Sequence, residues 1–97
     1  MSESDNYALF KSGDIVQHFK HERYPADSSM YTYKILGYAT HSETRKTLVI
    51  YEALYDLHDE DTLKVFARPL DMFMSKVDKE KYPNIQQKYR FELLSRA

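Results

Sequence analysis

The sequence predicts a mainly β domain, a small and strongly bent barrel of about five short strands with one short helical turn before the last. Three observations carry this. Five runs rich in β-branched and aromatic residues are separated by stretches of Asp, Ser, Asn and Pro. Only one segment, Leu70, Phe73, Met74 and Val77, repeats at helical spacing. A chain of 97 residues, 42% hydrophobic, has room for one core, and closing the sheet on itself disposes of exposed edges.

The elements follow in order. Residues 1–12 read as an N-terminal extension in which Tyr7, Leu9 and Phe10 pack as a short opening segment. Ser12-Gly13-Asp14 turns the chain into a strand at 15–19. "KHERYPADSS" (20–29) reads as an exposed loop. "MYTYKILGYAT" (30–40), "TLVIYEALY" (47–55) and "TLKVFAR" (62–68) read as three strands. Pro69 has no N–H for a sheet ladder, so the last of these ends there or lies on an edge. A Pro also suits a first helical turn, which places the short helix inside 69–77. "DKEKYPNIQQ" (78–87) is a second polar loop, and "KYRFELL" (88–94) alternates as the closing strand. The domain is therefore expected over 13–94, with 95–97 as a tail.

Composition narrows the function classes. The net charge of −1 gives no overall pull toward nucleic acid. The charge is uneven: residues 1–61 hold six Lys/Arg against eleven Asp/Glu, and residues 62–97 hold eight against four. Solvated charge at both ends is the expected meaning, with a basic face as the alternative. The absence of cysteine removes disulfides, thiolate metal sites and Cys nucleophiles. No start resembling a signal peptide and no run near the ~18 apolar residues of a membrane helix are present, so a soluble cytoplasmic protein is expected.

The stretch "THSETRKT" (40–47) closes the central hairpin. With Thr44 and Arg45 at its tip, Glu43 faces Lys46, Tyr38 faces Tyr51 and Gly37 faces Glu52. Glu52 then interrupts an apolar face, and a structural ion pair with Arg68 on the next strand is expected. Tyr38, Tyr51 and Tyr55 share the other face.

Five blocks, "GDIVQHFK", "YKILGYATHSET", "LVIYEALY", "ARPLDMFMSKV" and "YRFELL", together resemble the bacterial domain-of-unknown-function family numbered 1653, over residues 13–94. The resemblance implies a small SH3-type barrel without an established activity. Its pattern carries over at His18, His41, Ser42, Glu43, Tyr51, Leu54, Tyr55, Arg68, Pro69, Phe73, Arg90 and Phe91. Two departures stand out: the longer insertion "HERYPADSSMYT", and Arg45 at a hairpin tip where the family commonly has Gly.

Neighbours on a strand point to opposite faces, so His41-Ser42-Glu43 does not make a catalytic triad. His18, His21, His41 and His58 lack metal-ligand spacing, and "DLHDED" (56–61) lacks a calcium loop's pattern, so no metal or cofactor is expected. A binding module rather than an enzyme is expected, its contact surface formed by His41, Glu43, Tyr51 and Arg68 and its partner a protein or peptide. Nucleic acid is the alternative partner, since tyrosines beside Lys34 and Arg68 are able to stack bases and meet phosphates. A small-molecule or enzymatic site at His41, Glu43, Glu52 and Arg68 is the remaining one.

Overall fold

The computed structural model describes residues 10–57 and 61–97. Tyr7, Leu9 and His58 of the expectations above lie outside them. Five antiparallel strands form one sheet: β1 (Ile15–His18), β2 (Thr32–Thr40), β3 (Thr47–Ala53), β4 (Val65–Pro69) and β5 (Phe91–Ser95). A single-turn helix, α1 (Leu70–Phe73), follows β4 directly. The spatial order is β4-β3-β2-β1-β5, so β4 is an edge strand and Pro69 ends it.

The sheet curls without closing. Strands three places apart in a flat sheet are separated by about 14 Å. Tyr51 on β3 and Phe91 on β5 are three places apart, yet their ring centroids lie 5.5 Å from one another. The concave side is thus wrapped around Phe10, Val16, Tyr33, Ile35, Val49, Tyr51, Ala53, Phe73 and Phe91. Among the described residues the edge strands β4 and β5 do not pair through their backbones. They meet instead through side chains, with the Arg68 guanidinium 5.6 Å from the Phe91 ring centroid.

Aromatic spacing explains why these runs make strands. Tyr33 and Ile35 on β2 and Val49, Tyr51 and Ala53 on β3 alternate onto the buried side. Phe73 projects from α1 into the same core with no exposed surface. The helix stops after one turn because the chain becomes extended again, with Lys76 bridged to Tyr89 and the Val77 N–H donating to the Lys88 carbonyl at 2.8 Å.

Two sequence expectations are corrected. Residues 20–29 are not simply a loop: Phe19–Arg23 forms a 3₁₀ turn with Phe19 buried, and Phe19 packs on Tyr82 with ring centroids 4.8 Å apart. The hairpin register also differs. Thr40 pairs with Thr47, Tyr38 with Val49 and Gly37 with Ile50, and a bulge at Leu36 then sets Ile35 opposite Tyr51 and Lys34 opposite Glu52. A two-residue tip of Thr44 and Arg45 demands positive φ early in the turn, which Thr disfavours. The chain makes a longer loop instead, in which only Arg45 has a positive φ, 67°. The bulge lets Tyr38 and Ile35, of opposite parity, both face the core.

A candidate anion-binding cleft

Where β4 approaches the start of β5, the unclosed sheet leaves a cleft of about 290 Å³. Its apolar wall is Phe19, Val77 and Tyr82; its polar lining is His18, Arg68, Arg90, Lys20, Lys76, Lys81 and Asp78. Arg68 is the partner of Val49 across the β3–β4 ladder, which turns its side chain to the concave face. There its Nε donates to the Tyr51 hydroxyl at 3.2 Å. Arg90 is held on both sides of its backbone: its N–H donates to the Ser75 carbonyl at 2.8 Å, and its own carbonyl accepts from the Phe19 N–H at 3.0 Å. Its Nε donates to Ser75 Oγ at 3.1 Å.

Neither guanidinium forms an ion pair with a carboxylate among the described residues, where the one such pair is Arg96 with Asp14. The cleft's own acid, Asp78, has Oδ1 accepting from the N–H groups of Glu80 and Lys81 at 3.0 and 3.3 Å. Burial, followed by the charge of Arg68, holds Arg90 below its ordinary value. Two like charges lining one cleft repel, and an anion between them would relieve that repulsion.

His18 completes the inner wall. It packs against Phe19, Tyr31 and Phe91, with ring centroids 4.3, 5.8 and 5.0 Å away. Burial, then the charges of Arg68, Arg90, Lys20 and His21, push its pKa down to about 3. The imidazole is therefore neutral at ordinary pH. Its Nδ1 accepts from the Lys20 N–H at 3.2 Å, which assigns the proton to Nε2. Among the described residues no buried side-chain nitrogen lacks a partner and no group accepts from Nε2, so Nε2 is the part of His18 still accessible. The cleft is what the residue lines.

Gln87 frames the site from below. It is 7% exposed, and its Nε2 donates to the carbonyls of Gln17, Tyr89 and Arg90 at 3.1, 2.9 and 3.3 Å. Its Oε1 meets His21 Nε2 at 3.0 Å. The Glu22 carboxylate accepts from the N–H groups of Gln86 and Gln87 at 2.8 and 2.7 Å. The 3₁₀ turn is thereby clamped to the lead-in of β5, which fixes Arg90 relative to His18.

The residues singled out from sequence are dispersed. His41 and Glu43 lie in the exposed hairpin loop, where His41 Nδ1 accepts from the N–H groups of Glu43 and Thr44 at 3.1 and 3.2 Å. His41 is a cap for that loop. Tyr51 is 3% exposed and belongs to the core, reaching the cleft only through its hydroxyl. The expected pairing of Glu52 with Arg68 is corrected by the register: Glu52 faces Val65 and Lys34 on the convex side, away from Arg68. Arg68 is the one predicted site residue that lines the cleft. Tyr38 and Tyr55 are likewise drawn inward, their hydroxyls bonded to the Phe10 carbonyl at 2.8 Å and to the Tyr33 hydroxyl at 2.7 Å. Among the described residues no three His, Asp or Glu side chains converge as metal ligands would.

A family model described as "Protein of unknown function (DUF1653)" matches residues 14–93. The chain belongs to that family. The matched span of the family runs from Asp14 to Leu93 and so contains every residue that lines the cleft. No curated protein and no solved structure gives a significant match.

Sequence reasoning missed Arg90, His18, Lys20, Lys76 and Lys81 as one site. The signal was the basic excess of residues 62–97, to which Arg68, Lys76, Lys81 and Arg90 all belong.

Proposed function

We propose that this chain is a cytoplasmic binding module, not an enzyme, that receives an anionic side chain of a protein or peptide partner between Arg68 and Arg90. The observation that carries the reading is that Arg68 and Arg90 line one cleft and that neither is ion-paired with a carboxylate among the described residues. Arginine's planar fork matches carboxylate and phosphate oxygens, and such charge-assisted bonds are the stronger kind. The cleft has room for one side chain rather than a length of polymer. Among the described residues no Ser, Thr or Cys lines it to act as a nucleophile, and its one histidine, with a pKa of about 3, is a very weak base.

Nucleic acid is the second reading, favoured by the five Lys and Arg around the cleft. Against it, the Tyr82 ring is already occupied by Phe19 and by the cations of Arg23 and Lys81, so it offers no free platform for a base.

The test is a nuclear magnetic resonance titration with short acidic peptides, following the arginine Nε–H signals. Arg90→Gln and Arg68→Gln should each weaken binding by about ten- to a hundredfold, the equivalent of one or two charge-assisted hydrogen bonds. Acidic peptides that leave the Arg68 and Arg90 signals unmoved would refute the reading.

A further inference from the structure

Resting on that reading of the cleft, we infer that the anionic group is a phosphoryl group on a peptide side chain, gripped by Arg68, Arg90 and the Nε2–H of His18. Three features favour phosphoryl over carboxylate. The first is charge. Arg68, Arg90, Lys20, Lys76 and Lys81 surround a cleft whose one acid, Asp78, is turned to its own loop. A carboxylate brings a single negative charge, whereas a phosphomonoester brings nearly two.

The second is the number and placement of donors. The phosphoryl group has three terminal oxygens and uses donors arriving from several directions. Arg68 comes from β4, Arg90 from the residue before β5 and His18 from the end of β1. The Nε of each arginine is already engaged, by Tyr51 and by Ser75, which fixes the plane of its fork and leaves the terminal nitrogens for a ligand.

The third is the choice of a neutral histidine. A protonated imidazole between two guanidinium groups would be repelled, so the site gains a third N–H donor without adding charge. Donor strength at His18 is then independent of pH across the range in which a phosphomonoester takes up its second proton, near pH 6. The groups facing His18 are Arg68, Arg90 and Lys20, and His21, whose Nε2 is engaged by Gln87. Asp78, Lys76 and Lys81 complete the lining. The pH dependence of binding should follow the ligand.

The experiment titrates the isotope-labelled protein with acetyl-Ala-phosphoserine-Ala-amide, with the same peptide carrying aspartate, and with adenosine monophosphate. At about pH 7.5 the phosphopeptide should bind at least about tenfold more tightly than the aspartyl peptide, and its affinity should fall several-fold by about pH 5 as the dianion is lost. Shifts should centre on His18, Arg68 and Arg90, and Arg90→Gln should abolish the preference. The pH series uses the unmodified protein, so it stands even where a variant folds poorly. An aspartyl peptide binding as tightly, or a phosphopeptide affinity flat from pH 7.5 to 5, would overturn the phosphoryl assignment while leaving an anion site intact. Much tighter binding of adenosine monophosphate would assign the phosphate to a nucleotide and overturn the peptide. If no probe moves these residues, the anion reading itself is lost.

Discussion

The rings of Phe73 and Phe91 stack face to face, with centroids 4.0 Å apart and planes 5° from parallel. This contact joins the single turn of α1 to β5 and roofs the core beside Tyr51, whose centroid is 5.2 Å from Phe73. Phe73 has no exposed surface, so truncation leaves a cavity that its neighbours cannot fill. Phe73→Ala should cost about 3–5 kcal/mol, a large part of the ~5–15 kcal/mol total of a typical domain. Phe73→Leu should cost less. Urea unfolding midpoints measure both, and an unchanged midpoint for the alanine variant would remove the stack from the core.

The paired hydroxyls of Tyr33 and Tyr55 give a second test. They lie 2.7 Å apart, and Tyr33 is buried, which pushes its ionisation well above the usual range. Tyr33→Phe should cost about 1 kcal/mol, and so should Tyr55→Phe. The double variant should cost clearly less than both losses added, because the second hydroxyl has no partner left. Strict additivity in a thermal unfolding series would show that the bond contributes nothing.

The hairpin loop separates structure from recognition. His41→Ala removes the acceptor for two backbone N–H groups and should lower stability by about 1 kcal/mol, while His41→Asn restores much of it. Arg45 is held at a φ of 67°, a region that costs a side-chain-bearing residue energy, so Arg45→Gly should raise stability by up to about 1 kcal/mol. Neither change should alter binding of an anionic peptide. A large loss of binding in His41→Ala would return the loop to the site.

Acid sensitivity should come in two windows. His18 has a folded pKa of about 3 against an ordinary 6.5, so the unfolded chain binds the proton first. Its contribution is complete above pH 6.5 and is lost progressively as pH falls toward about 3. Asp14 behaves differently. Burial would raise its pKa, but the N–H groups of Ala97 and Lys11 and the Arg96 guanidinium outweigh it and hold the carboxyl below 3.8. Its contribution is present above 3.8 and fades only below that. Stability measured against pH should therefore bend first in the histidine window, and His18→Phe should flatten that part alone. A profile unaffected by His18→Phe would contradict the neutral, buried assignment.

Strand positions were legible in the sequence, and the cleft was not. Runs such as "TLVIYEA" declare a strand because branched and aromatic side chains suit a half-buried pleated surface. Register depends on features that composition does not encode. The hairpin pairing is shifted by two residues from that expected, and the bulge at Leu36 moves Ile35 onto the core face. Those shifts separate Glu52 from Arg68, undoing the expected ion pair, and bury Tyr51, one of the four residues on which the expected surface was built. The cleft draws on β1, the 3₁₀ turn, β4, residues 76–82 and the approach to β5, which the curl of the sheet brings together. Gln87 reads in sequence as one more polar loop residue, although its three carbonyl partners make it an internal strut.

The strand order also sets a sequence of assembly. β2, β3 and β4 follow one another along the chain as neighbours in the sheet, so they are able to associate through the connections 41–46 and 54–64, far shorter than the stretch between β1 and β5. β5 has no such neighbour; it docks on β1, with Ile15 opposite Ser95, and this long-range closure is the slow kind of step. Arg90 immediately precedes β5, and His18 closes β1 opposite Phe91. The two sides of the cleft therefore come together only when that final strand zips into place. An anion seated there would act as a clasp on the seam, slowing the release of β5 and with it the first step of unfolding.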